Sequence, residues 1–487
     1  MRAKVKFYVN LGFKCSTQIS LPFSRYYFMR FFLQIFSAFL ILLFTLAFSS
    51  CGKKNFLSKG NLKFSVDTLV FDTVFTTIGS TTKSFKLYNP ENRTVIIEEV
   101  ELMGGTSSPF RMNLDGLIGR KFNDIEVEGK DSLFVFVEVT LQVNNSTNPL
   151  IVEDSIRFRT NGKDQYVKLA VWGQDAYFHY KDLNEGIWPN DKPHVIYGYA
   201  AIDSAKSLTI QAGTQVHLHK NAIFYVYKST LNVEGSQGNE VVFQGDRLEM
   251  MYDDVPGQYY GIYFQEARPS KIDYAILKNG TSGVHLFSKA PNFTEPTLTI
   301  TNTIIRNQAR YGIFIYSGAF VKAENCLISH NGTHSLLVLE GGNFDFNHCN
   351  LLGYGGATGA AIGIRNYFTT SDNITNVGSI NTGKIYNSVI YGNQQTELVI
   401  DTIQMAGVTL NFDFKNTLIR SKDTYTDAFY QSIFWNQNPQ FTDVSKFDFT
   451  YPLGSILNNN GFATALQTDI LGAFRNNPPD LGAIEKN

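Results

Sequence analysis

The chain has 487 residues, a formal net charge of −1 and only 17% charged residues, so no basic field points to a nucleic-acid partner. Hydrophobic residues make up 43% and aromatics 14%, enough for more than one sizeable core. The 39 Gly and 40 Phe, against few helix signals, point to an all-β protein rich in turns.

At the N-terminus, Met29 and Arg30 precede a near-continuous apolar run that ends in Leu46-Ala47-Phe48-Ser49-Ser50-Cys51. A charged start, an apolar stretch and small residues before a Cys form the pattern of a signal peptide. The ending resembles a bacterial lipobox, which implies acylation of Cys51 and attachment to a membrane through that lipid. The place this implies is the cell envelope, as an outer-membrane lipoprotein facing the periplasm or the surface. A transmembrane anchor, or a signal cut elsewhere, is the competing reading. Residues 1–50 are read as an upstream extension and signal peptide with Met29 as the expected start, and 51–62 as a lipidated linker. Gly52-Lys53-Lys54-Asn55 lacks the acidic residues that surface-export signals of Bacteroidetes-type lipoproteins carry. Triplets such as Asp67-Thr68-Leu69 and Asp131-Ser132-Leu133 resemble the O-glycosylation acceptor of the same phylum.

Residues 63–180 alternate as half-buried strands do, for example at Ser84-Phe85-Lys86-Leu87-Tyr88, with turns at Asn89-Pro90, Gly104-Gly105 and Asn161-Gly162 between them. About seven short strands over ~100 residues predict a β-sandwich. Phe71-Asp72-Thr73-Val74 leading to Gly79, Phe110-Arg111-Met112-Asn113, Thr160-Asn161-Gly162 and the closing Leu169 to Gly173 resemble an immunoglobulin-like domain of the Hydin type. That resemblance implies a spacer or interaction module without catalytic residues. Asp115, Asp124 and Asp131 lack the spacing of a metal loop and read as turn residues.

Residues 186–487 are read as one further unit, and from about 270 to 420 within it one phrase returns. Asn302-Thr303-Ile304-Ile305, Asn325-Cys326-Leu327-Ile328, Asn387-Ser388-Val389-Ile390 and Asn416-Thr417-Leu418-Ile419 are its clear copies, with looser ones at Tyr274 and His348. The small second residue falls at 275, 303, 326, 349, 388 and 417, in steps of 28, 23, 23, 39 and 29. A period of this size without helical spacing marks a solenoid, whose short rungs bury their apolar face only by stacking. Asn331-Gly332 and Gly392-Asn393 supply the corners. Ser207 to Val216, Leu231 to Ser236, and the ending Asp480-Leu481-Gly482-Ala483-Ile484-Glu485 resemble right-handed parallel β-helix proteins of the pectate-lyase-like superfamily. The expected architecture is therefore an N-terminal immunoglobulin-like β-sandwich followed by a right-handed parallel β-helix solenoid. Cys326 and Cys349 take matching places in consecutive repeats and read as stacked free thiols, with a disulfide as the alternative.

The coil period is broken at 244–260 and again at 352–383. The first insertion carries Asp246, Arg247, Asp253, Asp254, Tyr252, Tyr259 and Tyr260. Its carboxylates suit acid–base work or an oxygen cage for Ca²⁺, the one cofactor the sequence suggests, and its tyrosines suit stacking on sugar faces. The plainer alternative is a loop packed on the flank of the helix, with Asp246 and Arg247 fixing its base. His217 and His219 lie two apart on one strand and so share a face, without a third ligand in view; the other six His have no acid partner in view. The Asn-Thr-Asp, Gly-His-Gly and Arg-Ile-Lys set of polygalacturonase-like enzymes is absent, as is the Trp-Ile-Asp-His phrase of pectate-lyase-like proteins. The functional expectation is a lipid-anchored, non-catalytic envelope protein that presents a lateral surface to a glycan or an envelope protein. The alternative is a polysaccharide lyase or glycoside hydrolase acting through 244–260.

Overall fold

The computed structural model describes residues 58–143, 150–288, 294–356 and 358–486. The signal-like run and Cys51 lie outside the described residues, among which no helix is long and apolar enough to cross a membrane.

Alternation decides the first unit. Phe85, Leu87, Val135, Val137, Phe110 and Met112 point one way and are buried, while their neighbours point outward. Two five-stranded sheets result. One is ordered Lys63–Phe64, Lys83–Tyr88, Ser132–Val139, Phe110–Leu114, Leu117–Gly119. The other is ordered Thr68–Phe75, Lys163–Gln174, Leu150–Thr160, Val95–Leu102, Lys121–Val127. They close on one apolar core, as a β-sandwich does. Its last strand ends at Gln174, and Tyr177–Leu183 already pairs with His194–Ile202 of the next unit. The sequence placed that change of mode near 180–186; the strand alternation simply continues across it.

The second unit is a parallel β-helix with three strands per coil. One face runs from Gln215–Leu218 to Phe434–Trp435, a second from Tyr177–Leu183 to Leu398–Asp401, and a third from Gly186–Trp188 to Tyr430–Gln431. The strands of successive coils pair in parallel, and through the middle coils they do so in register, so like positions stack at ~4.8 Å. Ala200, Phe224, Ile262, Val284, Ile313 and Leu336 form one such inward column, and all are buried. Each fully buried Ile, Leu or Phe there contributes roughly 1.5–3 kcal/mol.

The repeated phrase builds one corner. Tyr274, Asn302, Asn325, His348, Asn387 and Asn416 all have left-handed backbone, with φ between 44° and 53°, a region that Asn tolerates better than most residues. The small residue that follows points inward and closes the turn. Thr303 and Thr417 hydroxyls donate to carbonyls two residues back, and the Cys326 and Cys349 thiols do the same as free, buried groups.

Asparagine side chains of that corner hold the C-terminal segment. Asn416 Nδ2 donates to the Asn460 carbonyl (2.9 Å), Asn387 Nδ2 to Phe462 (3.0 Å) and Asn325 Nδ2 to Thr468 (2.8 Å). The segment therefore runs back toward the early coils, turns at Gly472, where Gln237 Nε2 donates to the Leu471 carbonyl, and returns to Glu485. The terminal Asp-Leu-Gly-Ala motif belongs to this strap. Asp480 accepts from Tyr451 OH and the Asn459 amide, and Arg475 pairs with buried Glu485 at 3.2 Å.

Candidate functional site

The second face of the solenoid is aromatic outside as well as apolar inside. Tyr225, Tyr263, His285 and Phe314 occupy one outward column in successive coils, and Tyr227, Gln265, Phe287 and Tyr316 the next. Ring centroids step by 5.4 Å from Tyr225 to Tyr263, 4.6 Å to His285 and 4.4 Å to Phe314. Where rings stack this closely on one another, their edges face solvent.

The head of the column is different. Leu183, Tyr199, Ile223, Tyr225, Tyr227 and Tyr263 line an open groove whose walls are mostly carbon. Tyr225 and Tyr227 lie side by side with planes within 6°, and Tyr199 and Leu183 are 39% and 68% exposed. Phenol groups give this apolar trough its polarity. Tyr225 OH donates to Gln265, and burial pushes the Tyr263 hydroxyl up to about 12, so it stays a neutral donor. His285, whose Nδ1 is hydrogen-bonded with Tyr260 OH at 2.8 Å, is driven down to about 4 by burial and is uncharged near neutrality. At the other end of the face, the hairpin of Tyr367–Thr369 and Thr375–Val377 sets Phe368 edge-on to Tyr316, 6.5 Å between centroids. Flat apolar rings with neutral donors at their rims are what a sugar ring needs on its two kinds of surface.

A second concavity lies where the sandwich meets the first coils. Thr73, Ser80 and Lys83 come from the sandwich, and Tyr197, His219 and Asp246 from the solenoid. Asp246 Oδ2 accepts from His219 Nδ1 at 2.7 Å and from Tyr197 OH at 3.4 Å, which fixes the half-exposed imidazole. Arg247 pairs with Glu249 (2.9 Å) and stacks over Tyr252 at 4.1 Å. Glu249 in turn accepts from Thr81 of the sandwich at 3.0 Å. The base of the 244–260 insertion thus ties the two units together.

The structure divides the residues that the sequence grouped. Asp246 and Arg247 line the interdomain cleft, whereas Asp253 and Asp254 lie outside it, over the corner that carries Asn279 and Arg306. Asp254 pairs with Arg306 at 3.1 Å, and the Asp253 carbonyl accepts from Asn279 Nδ2 at 2.7 Å. The three carboxylates therefore do not converge into a Ca²⁺ cage, and no group of three His, Cys, Asp or Glu that could hold a metal occurs among the described residues. Tyr259 is a core residue, with its hydroxyl donating to the Phe243 and Lys278 carbonyls, so it offers no surface to a ligand. Tyr252 lies beneath Arg247, and Tyr260 reaches the aromatic face through His285.

Two expectations about histidine are corrected. His217 and His219 do not lie on one strand. His217 sits on Gln215–Leu218 under Phe75 of the sandwich, 5.0 Å between rings, and His219 lies past the strand end in the corner. One of the other six histidines does have an acid partner, Asp182 for His179 (3.2 Å). His179 also bonds His194 at 3.0 Å inside a stack with Trp188 that closes the first coil. The sequence reading missed the tyrosine groove. Its only sequence signal was an aromatic residue at the outward position of several coils, and each lay some 20–40 residues from the next.

This fold and these surfaces define an all-β protein built on a right-handed parallel β-helix. Residues 196–351 match the family model described as right handed beta helix region. Among solved structures, the chain is similar to the catalytic unit of a thermostable GH87 alpha-1,3-glucanase from Streptomyces thermodiastaticus strain HF3-3, at 10% identity and a TM-score of 0.24, over 72% of this chain and 74% of that one. The Agl-KA catalytic domain aligns at 11% identity and a TM-score of 0.19, over 70% and 80%. A family 123 glycoside hydrolase from Clostridium perfringens aligns at 7% identity and 0.18, over 25% of this chain and 30% of its own length. Scores this low carry no argument about activity. No curated protein matches the sequence.

Proposed function

We propose that the protein is a lipid-anchored, non-catalytic component of the cell envelope, held through Cys51, whose aromatic solenoid face binds a glycan chain. The tyrosine groove at the head of that face carries the reading. Four tyrosines converge there on a trough with little polar wall, and a stack of neutral rings extends it along the solenoid axis. A repeat surface of this kind suits an extended partner better than a small molecule. An envelope protein with an apolar ridge is the other occupant of this same surface.

The test is a binding screen of the protein lacking Cys51 against neutral and acidic polysaccharides, with and without Ca²⁺, in wild type and in Tyr199→Ala and Tyr227→Ala. Loss of one exposed ring contact, ~1.4 kcal/mol, weakens affinity about ten-fold per variant. Unchanged affinity in both variants refutes the groove as the site.

One observation favours the second reading, a polysaccharide lyase or glycoside hydrolase. His219 is oriented by Asp246 in a cleft, as a general base would be. Turnover of any polysaccharide in the same screen, abolished by Asp246→Asn in a folded variant, would establish it in place of the non-catalytic reading.

A further inference from the structure

The outward side of the first sandwich sheet is apolar where a solvated sheet would be polar. Phe134 and Phe136 alternate with buried Val135 and Val137, and they are 40% and 38% exposed. Their rings stack at 5.7 Å with planes within 19°. Register extends the patch across the sheet. Phe136 is opposite Asn113, Asn113 is opposite Ile118, and Ile118 is 83% exposed on the edge strand. On the other side Tyr88 stands opposite Lys63, and Lys86 opposite Phe134, with the Lys86 ammonium 4.5 Å above the Phe134 ring. Single exposed apolar residues need no explanation, but four on neighbouring strands with two lysines among them do.

Covalent reach selects the occupant. The described chain begins at Ser58, whose amide is bonded to the Thr94 carbonyl, and it enters this same sheet as its edge strand Lys63–Phe64. Six residues lie between Cys51 and Ser58, seven Cα–Cα steps that span at most about 25 Å when fully extended. An acyl chain on Cys51 would hold the sandwich within that distance of the bilayer. Aromatic rings and lysines are the residues that favour the headgroup region, where the ring sits at the boundary and the ammonium meets phosphate. The acyl chains that the lipobox implies hold the protein on the membrane, and a second contact of this kind fixes how the sandwich lies on it.

We infer that this sheet face, with Tyr88, Phe134, Phe136 and Ile118 as its apolar contacts and Lys63 and Lys86 as its basic ones, lies on the lipid surface. The inference rests on the lipid-anchored reading above. It places the sandwich flat against the bilayer instead of standing on its end.

The experiment uses the full-length lipidated protein in vesicles of phosphatidylethanolamine and phosphatidylglycerol with brominated acyl chains. Phe134→Trp and Phe136→Trp report on the face, and Lys384→Trp, on the third face of the solenoid, serves as reference; the emission of wild type is subtracted. The expected result is bromine quenching of the two face variants well beyond that of the reference, weakened when phosphatidylglycerol is omitted. Vesicle flotation with equal quenching in all three variants overturns the inference and leaves the anchor intact. Failure to float, with no labelled palmitate at Cys51, overturns the anchoring reading and the face together.

Discussion

The imidazoles respond most strongly to acid. Burial lowers the pKa of seven of the eight histidines, His179, His194, His217, His285, His330, His334 and His348, with His194 and His285 near 4 and His348 near 3. A group displaced from 6.5 to about 4 contributes on the order of 3 kcal/mol, fully present above pH 6.5 and lost as the pH falls toward 4, because the unfolded chain takes up the proton first. Glu397 works in the opposite direction. Burial pushes its carboxyl up to about 7 although it accepts the Ala361 and Gln394 amides, so its contribution declines from pH 4.5 to about 7. Burial also raises the Asp345 and Glu485 carboxyls, but seven imidazoles outweigh these three, so chemical denaturation from pH 4 to 6.5 will show stability rising with pH. Glu397→Gln will steepen that rise. A flat profile in wild type would mean that the histidines are protonated within the fold.

At the scale of the element, the corner asparagines do two jobs that substitutions can separate. Asn325 holds φ 53° and also connects Asn302, Thr468 and Arg475 through its amide. Asn325→Gly keeps the backbone relaxed and loses the side-chain bonds, while Asn325→Ala loses both. Denaturation midpoints should therefore rank wild type above Gly above Ala, the last step being about 1 kcal/mol. Equal loss in both variants would assign the whole effect to the strap bonds. This corner was legible in advance because one chemical demand, a left-handed residue followed by a small inward one, recurs in six successive coils, from Tyr274 to Asn416. The strap was not legible. Residues 459–485 have no period, and their partners lie up to 234 positions away, as for Gln237 and Leu471. The insertion misled for a related reason. Asp246, Asp253 and Asp254 are close in sequence, but the loop passes over a corner between them, and the true partner of Asp246 is His219, 27 residues earlier. The groove needed the register, since only stacking shows that Tyr225 and Tyr263 are neighbours.

At the scale of the whole molecule, the sandwich and the solenoid have separate apolar cores and meet through polar contacts, chiefly Thr81 with Glu249 and the ring pair Phe75 and His217. Separate cores with a modest junction unfold separately. Calorimetry should resolve two transitions, and Glu249→Ala should move the smaller one down while leaving the solenoid's in place. One transition, coincident by all probes, would show that the junction couples the units.

The strap also sets an order of events in time. Coils stack from the N-terminal end as the chain emerges from the ribosome, each on the one before. The wall over their asparagine corner is supplied by residues 459–485, which are made after the coils they cover. Until those residues emerge, the nascent solenoid has an open seam along that corner, with the Asn325, Asn387 and Asn416 amides hydrated. Sealing of the stack thus lags behind its building, and a ribosome stalled before residue 459 would hold coils that are built but not sealed.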